Sequence, residues 1–214
     1  MTKIAASILA CNNAYIGDCV KKIDNAKADI IHIDIMDGHY VDNLTFGPQM
    51  IKNIRNLTNL PIEVHLELFN PEKYILNFVD VGADIITLQL DTCIHPIRIL
   101  KQIRNYNKKA GIAINPTKSI EDIRYLVNYI DYVLLMSVEP GFGGQKFEEI
   151  VFEKIKKIKE IFSDLKIKIP IGVDGGINLE NSKKLKVQGV EILVIGSALF
   201  QGDDLVETIY NFKN

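Results

Sequence analysis

Eight apolar runs of strand length recur along the chain, and a segment with helical spacing of its apolar residues follows each one. The candidate strands are 4–9, 29–36, 61–68, 84–90, 109–115, 132–138, 169–174 and 191–196. The candidate helices are 16–26, 48–56, 71–81, 95–106, 119–128, 146–163, 179–188 and 203–212. Most strand runs are apolar throughout rather than alternating, the pattern of parallel strands covered on both faces. Asn70-Pro71-Glu72 and Asn115-Pro116-Thr117 supply turns just after strands, while Gly82-Ala83-Asp84 and Gly189-Val190-Glu191 stop helices ahead of the next strand. Eight βα units in 214 residues predict one α/β domain over 1–214, a TIM (β/α)8 barrel near the short end of its range. A doubly wound open sheet is the structural alternative. The barrel is favoured because the unusual polar residues fall at the ends of different strands, and a barrel brings all those ends to one mouth.

With 47% hydrophobic content the chain can fill one large core. Its net charge is −2, and no strongly basic block stands out, so no nucleic-acid partner is expected. The run Lys154-Ile155-Lys156-Lys157-Ile158-Lys159 is basic, but its apolar residues return at helical spacing, which reads as a solvated helix face. No apolar stretch is long enough to span a bilayer, so no membrane association is expected. Ile4 to Cys11 looks faintly like a lipoprotein signal; its apolar part is too short and only Lys3 precedes it, so it reads as the first strand. Cys11, Cys19 and Cys93 form no C-x-x-C pair and are odd in number, which predicts inert thiols in a reducing cytoplasm.

Four residues in these runs stand out: His32, Asp34, His65 and Asp174. Ionisable side chains in apolar strands are costly to bury unless they are paired or bind a metal. His32 and Asp34 are two apart and therefore face one side of their strand. In a barrel, strand 2 brings His32 and Asp34, strand 3 His65 and strand 7 Asp174 to the mouth, beside Ser7 from strand 1. Two imidazoles and two carboxylates suit one divalent ion per subunit, Zn²⁺, Fe²⁺, Mn²⁺ or Co²⁺. Any one of these residues alone would more simply be a satisfied core or rim side chain; four at converging strand ends point to a site.

A second group is rich in glycine. Gly141-Phe142-Gly143-Gly144-Gln145 follows strand 6, Gly175-Gly176-Ile177-Asn178 follows strand 7 and Gly196-Ser197 follows strand 8. Glycine lets backbone N–H groups curl around an anion, and the loops after strands 7 and 8, with a helix N-terminus, form the usual phosphate site of a barrel. Tight βα turns alone would explain one such cluster, but not three in succession. A metal with two carboxylates on one side and a phosphate cradle on the other fits a small sugar phosphate. Two carboxylates on opposite faces of one carbon could remove a proton from one side and return it to the other.

These residues closely resemble the ribulose-phosphate 3-epimerase family along almost the whole chain, from Ile4 to about Phe200. The likeness is carried by Ser7-Ile8-Leu9, His32-Ile33-Asp34-Ile35-Met36-Asp37-Gly38-His39, Asn43-Leu44-Thr45-Phe46-Gly47-Pro48, Val64-His65-Leu66, Asn70-Pro71-Glu72, Met136 to Phe147, Val173 to Asn178 and Gly196 to Phe200. The resemblance implies a TIM barrel, an isomerase of carbohydrate metabolism, and interconversion of D-ribulose 5-phosphate and D-xylulose 5-phosphate through an enediolate. It implies that His32, Asp34, His65 and Asp174 bind a divalent metal, with Asp34 and Asp174 as the acid/base pair at C3. Ser7 and His65 would contact the substrate near the metal, and Met36 and Met136 would cap the enediolate with sulfur. Gly141, Gly143, Gly144, Gly175, Gly176, Gly196 and Ser197 would line the phosphate end. It also implies self-association, as a dimer or a hexamer.

The chain departs from the family pattern in places. Glu67 stands where Met usually follows His-Leu, and it should face the same mouth as His65, unless it turns out to solvent at the rim. Gln89 stands where His is common, Asp91 where Glu is common, and Ala6 where Pro usually precedes Ser7. Gln89 and Asp91 should share a strand face with Thr87. Glu67 and Gln89 are therefore candidate specificity residues, and the alternative is 3-epimerisation of another ketose phosphate such as D-allulose 6-phosphate or a longer sugar. A decarboxylase or lyase of the orotidine-phosphate decarboxylase group would need D-x-K-x-x-D, and Asp34-Ile35-Met36-Asp37 offers Met in place of Lys. An idle binding protein is disfavoured because all four metal-type residues are present.

Overall fold

In the computed structural model, which describes residues 2–202 and 204–214, eight parallel strands close into a barrel in chain order. The strands are β1 Lys3–Ser7, β2 Ile30–Met36, β3 Ile62–Glu67, β4 Ile85–Gln89, β5 Lys109–Ile114, β6 Tyr132–Met136, β7 Ile171–Asp174 and β8 Ile192–Ile195. The pairing of β1 with β8 completes the cylinder. Around it stand α1 Ile16–Asn25, α2 Pro48–Arg55, α3 Ile75–Asp80, α4 Pro96–Asn105, α5 Ile123–Leu126, α6 Ile150–Asp164, α7 Leu179–Val187 and α8 Leu205–Lys213. The open-sheet alternative is thereby excluded. Two helices start on a proline, Pro48 and Pro96, whose fixed φ and missing N–H suit the first turn.

Local chemistry trims several expected elements. β1 stops at Ser7 because the Ser7 hydroxyl accepts from Leu9 N at 3.4 Å and starts a 3-10 turn. The expected helix 71–81 opens as a 3-10 turn, Pro71–Lys73, behind Asn70 in the left-handed region at φ 54°, and only then becomes α3. The expected helix 146–163 begins four residues late, because Glu148 N donates to Ser137 O at 2.8 Å across the end of β6. Of the expected helix 119–128 only Ile123–Leu126 is α-helical. In the expected helix 203–212, Asp203 lies outside the described residues, and Asp204 caps α8 by accepting from Val206 N at 2.8 Å. Lys154 corrects the reading of its basic run. It is buried and donates to the carbonyls of Asn115 and Lys118 beyond β5, and burial pulls its ammonium down to about 8.

The cysteine expectation is corrected as well. Cys11 and Cys19 are joined in a disulfide, and Cys93 remains a thiol. An odd count and an absent motif speak only to spacing in sequence. The connection from β1 to α1 folds back on itself and brings the two Cα atoms to 6.5 Å, within ordinary bonding reach.

One residue in two on each strand faces the helices and builds the main core; Ile31, Ile33 and Ile35 of β2 are examples. The other half fills the barrel, and there the wall is divided by chemistry. β5, β6 and β8 bring Ala113, Tyr132, Leu134, Met136, Ile192 and Val194 inward. β2 to β4 bring His32, Asp34, Glu63, His65, Glu67, Thr87 and Gln89, all buried. Tyr132 occupies the barrel opposite Gly172, where a Cβ would overlap the tyrosine hydroxyl, so only glycine leaves the ring its space.

At the opposite end from the polar residues, one device repeats four times. The acid just before each even strand accepts from the backbone N–H of the preceding odd strand. Asp29 takes Ile4 N at 2.9 Å, Asp84 takes Ile62 N at 2.9 Å, Asp131 takes Ala110 N at 2.9 Å and Glu191 takes Ile171 N at 3.0 Å. Each acid returns its own N–H to the carbonyl of that same residue, at 2.8–2.9 Å. Each pair of strands, β1 with β2 through β7 with β8, thus starts in a closed two-bond clasp. Arg55, Arg104 and Lys213 lie against three of the four acids.

Candidate active site

At the carboxyl ends of the strands, His32, Asp34, His65 and Asp174 each offer a ligand atom, and these atoms lie within 4.8 Å of one another. Alternation on β2 turns His32 and Asp34 to the same side, and the register sets Asp34 beside His65 on β3. His32 Nε2 faces Asp34 Oδ1 at 3.0 Å and Asp174 Oδ2 at 3.6 Å. His65 Nδ1 faces Asp34 Oδ1 at 3.1 Å. The Ser7 hydroxyl donates to Asp34 Oδ2 at 3.1 Å. Asp174 ends β7, and Ser137 holds the turn behind it by donating to the carbonyls of Asp174 and Gly175 at 2.7 and 2.6 Å.

Glu63 is a functional residue that the sequence reading missed. Its Oε2 lies 2.9 Å from His32 Nδ1, and its Oε1 accepts from the Thr87 hydroxyl at 2.6 Å. A carboxylate can only accept, so it fixes the His32 proton on Nδ1 and leaves the Nε2 lone pair for a metal. The signal was the spacing Glu63, His65, Glu67, three inward positions on one strand.

Glu67 faces the mouth and not the rim. It is 2% exposed, its Oε1 lies 3.5 Å from His65 Nδ1, and its Oε2 is buried with no partner. Gln89 is fully buried behind His65, its Nε2 3.0 Å from His65 Nε2. Asp91 departs from expectation: β4 ends at Gln89, and Asp91 in the following turn accepts from Tyr40 Oη at 3.0 Å and Asn115 Nδ2 at 3.1 Å.

The two aspartates are pushed apart electrostatically. Burial raises Asp34, but the charge of His32 and hydrogen bonds from both histidines outweigh it and hold the carboxyl well below its usual range. Asp174 keeps its burial penalty, eased by His32 and reinforced by Asp34, and is pushed up to about 7. Burial also lifts Glu67 to about 8, with His65 opposing and the two aspartates adding to the rise. Burial lowers His32 and His65, yet the surrounding carboxylates raise both. Four carboxyl groups crowd around two imidazoles, and without a metal the site holds protons on Asp174, Glu67 and the rings to limit its negative charge. A divalent cation among two imidazole nitrogens and two carboxylate oxygens neutralises it, so the donor set fits such an ion.

The glycine loops share this cleft. Gly141, Gly143, Gly144, Gly175, Gly176, Gly196 and Ser197 line it together with Ser7, Asp34, Met36, Glu67, Met136 and Asp174. Gly176, at φ 58°, sits so tightly under the β6 loop that a Cβ would lie 2.5 Å from Phe147 N. The first amides of α7 are taken by Asn178 in a reciprocal cap with Asn181, so the glycine turn, ahead of the helix, is what faces the cleft. Asn43, in the loop after β2, reaches across the mouth and donates to Gly141 O at 2.7 Å. A roomier groove of about 880 Å³ runs outside the barrel along Ile94, Ile97 and Tyr125, and contains none of the clustered metal-type residues.

Comparison with known proteins agrees with this geometry. The family described as Ribulose-phosphate 3 epimerase family matches residues 3–200. A ribulose-phosphate 3-epimerase of Bacillus subtilis (strain 168) is 40% identical, covering 100% of this chain and 99% of that protein. A chloroplastic ribulose-5-phosphate-3-epimerase of Arabidopsis thaliana is 38% identical, covering 98% of this chain and 75% of that protein. Among solved structures, KGPDC from Streptococcus mutans superposes with a TM-score of 0.75 at 14% identity over 100% of this chain and 96% of that one, which shows the fold alone. The chain belongs to the ribulose-phosphate 3-epimerase family.

Proposed function

We propose that this chain interconverts D-ribulose 5-phosphate and D-xylulose 5-phosphate by moving the proton at C3 from one face to the other. The observation that carries the reading is the placement of Asp34 and Asp174 together in one cleft with the glycine loops, with Asp34 held low and Asp174 high while no metal is bound. One carboxylate is ready to accept a proton while the other holds one to give. In one direction Asp34 takes the C3 proton and Asp174 delivers a proton to the opposite face; in the reverse direction the roles exchange. His32, Asp34, His65 and Asp174 would hold one divalent ion, Zn²⁺, Fe²⁺, Mn²⁺ or Co²⁺, whose charge polarises the C2 ketone when bound. Ser7 orients Asp34 and meets the sugar. Met36 and Met136 cover the reacting carbons with polarizable sulfur and exclude water. Gly141, Gly143, Gly144, Gly175, Gly176, Gly196 and Ser197 hold the phosphate through backbone N–H groups. The names of the relatives support the five-carbon substrate over six- and seven-carbon ketose phosphates. Among the described residues no helix is long and apolar enough to cross a membrane; self-association follows from the family resemblance.

The test is turnover of ribulose 5-phosphate in deuterium oxide. Asp34→Asn and Asp174→Asn are each expected to lower turnover by about 10²- to 10⁴-fold while the fold persists, and product of the unaltered enzyme should carry deuterium at C3. Folded variants with undiminished exchange would overturn the two-carboxylate assignment.

A further inference from the structure

Histidine ligates a metal only through a nitrogen without a proton, so whatever contacts the other nitrogen decides whether the ring is ready. For His32 that contact is Glu63, which only accepts. For His65 it is Gln89, an amide that can present either a donor or an acceptor. His65 Nδ1 is the nitrogen turned toward Asp34 Oδ1, 3.1 Å away, and is therefore the one available to a cation. A ring bound through Nδ1 carries its proton on Nε2, and so does an imidazolium. Gln89 Nε2, 3.0 Å from His65 Nε2, meets that proton with a second N–H. Turned end for end, the amide fills the same space and offers Oε1 instead.

Two buried oxygens without partners argue for the turn: Gln89 Oε1 and Glu67 Oε2. Glu67 stands one step beyond the Leu66–Leu88 pair, beside Gln89 in the sheet. In the first orientation two neighbouring side chains each leave a buried oxygen without a partner, which is costly. After the turn, Oε1 receives the His65 proton, and an N–H2 donor stands on the strand next to Glu67.

We propose that Gln89 is a positioning residue of the metal centre, whose amide oxygen accepts from His65 Nε2–H and so keeps Nδ1 free for the ion. This rests on the metal reading above, and the test separates the two. Zn²⁺ alone is titrated into the metal-free chain in competition with a chelator. Gln89→Leu is expected to bind about 10- to 100-fold more weakly, and Gln89→Glu, which keeps an acceptor, to recover most of that loss. Long-range proton–nitrogen spectra of the histidine-labelled, Zn²⁺-loaded chain should place the His65 proton on Nε2, protected from exchange, and Gln89→Leu should lose that protection. Equal Zn²⁺ affinity of Gln89→Leu and the unaltered chain, or a His65 proton on Nδ1, would overturn the proposal alone. An unaltered chain that takes up no Zn²⁺ overturns the metal centre and the proposal with it. Where Gln89→Leu does not fold, Gln89→Asn, one methylene too short to reach His65 Nε2, is titrated in its place with the same expected loss, and equal Zn²⁺ affinity overturns the proposal.

Discussion

Glu67 adds a carboxyl to a buried cluster that already holds Asp34, Glu63 and Asp174 around two imidazoles. Burial lifts it from an ordinary 4.5 to about 8, so the folded, metal-free chain keeps a proton there that the unfolded chain has lost. In that window the folded state binds more protons than the unfolded state, and stability falls as pH rises. Urea denaturation of the metal-free chain should therefore show lower stability at pH 8 than at pH 6, and Glu67→Met should flatten that slope. An unchanged slope in the variant would assign the pH dependence to the neighbours that are raised as well, Asp174, pushed up to about 7, and the two histidines. Glu63→Leu makes a different prediction. With the acceptor gone, nothing fixes the His32 proton on Nδ1, and Zn²⁺ affinity should fall by about 10- to 100-fold, read by chelator competition.

Among the elements, the loop after β2 and the loop after β6 are joined over the cleft by Asn43 and Gly141. Asn43→Ala removes that bond, worth about 0.5–1.5 kcal/mol, and steady-state assays should show KM rising several-fold with a smaller change in kcat. The strands were readable in the sequence because a parallel strand buried on both faces is apolar throughout; their inward residues followed from alternation, which placed all four metal-type residues correctly. The helices were less readable at their starts, because groups distant in sequence claim the backbone there, as the Ser137 carbonyl does with Glu148 N. Glu63 escaped notice because a charged residue in a strand also fits a surface position, and only the contact with His32 on the next strand separates the two. The Cys11–Cys19 bond depends on the path of a loop, which no periodicity encodes.

Across the whole molecule, chemistry and anchoring occupy opposite ends of the barrel, as is usual for this architecture. The four acid clasps hold the starts of the strands, and the metal-type residues and glycine loops stand at the finishes. Asp131→Ala should consequently lower stability by about 1.5–3 kcal/mol, the range for a hydrogen bond to a charged group, while kcat stays within twofold of the unaltered enzyme. A variant with intact stability and impaired turnover would contradict that separation. The repeat was present in the sequence as Ala28-Asp29, Ala83-Asp84, Ile130-Asp131 and Val190-Glu191, an apolar residue and an acid ahead of each even strand. It passed unrecognised because an acid at a helix-to-strand turn is unremarkable until its partner strand is known.

The clasps also mark where this molecule can be taken apart. No clasp spans β4 and β5, and the connection there passes through Asn107, an exposed residue in the left-handed region at φ 57°. A cut at that point yields two half-barrels, each keeping two clasps. The first half carries Ser7, His32, Asp34, His65 and Glu67, the bulk of the cation end; the second carries Asp174 and every glycine turn of the phosphate end. Neither fragment owns both members of the proton-moving pair. Co-expressed halves that reassemble would recover turnover that neither has alone, making this fold a source of split reporters whose signal depends on complete closure.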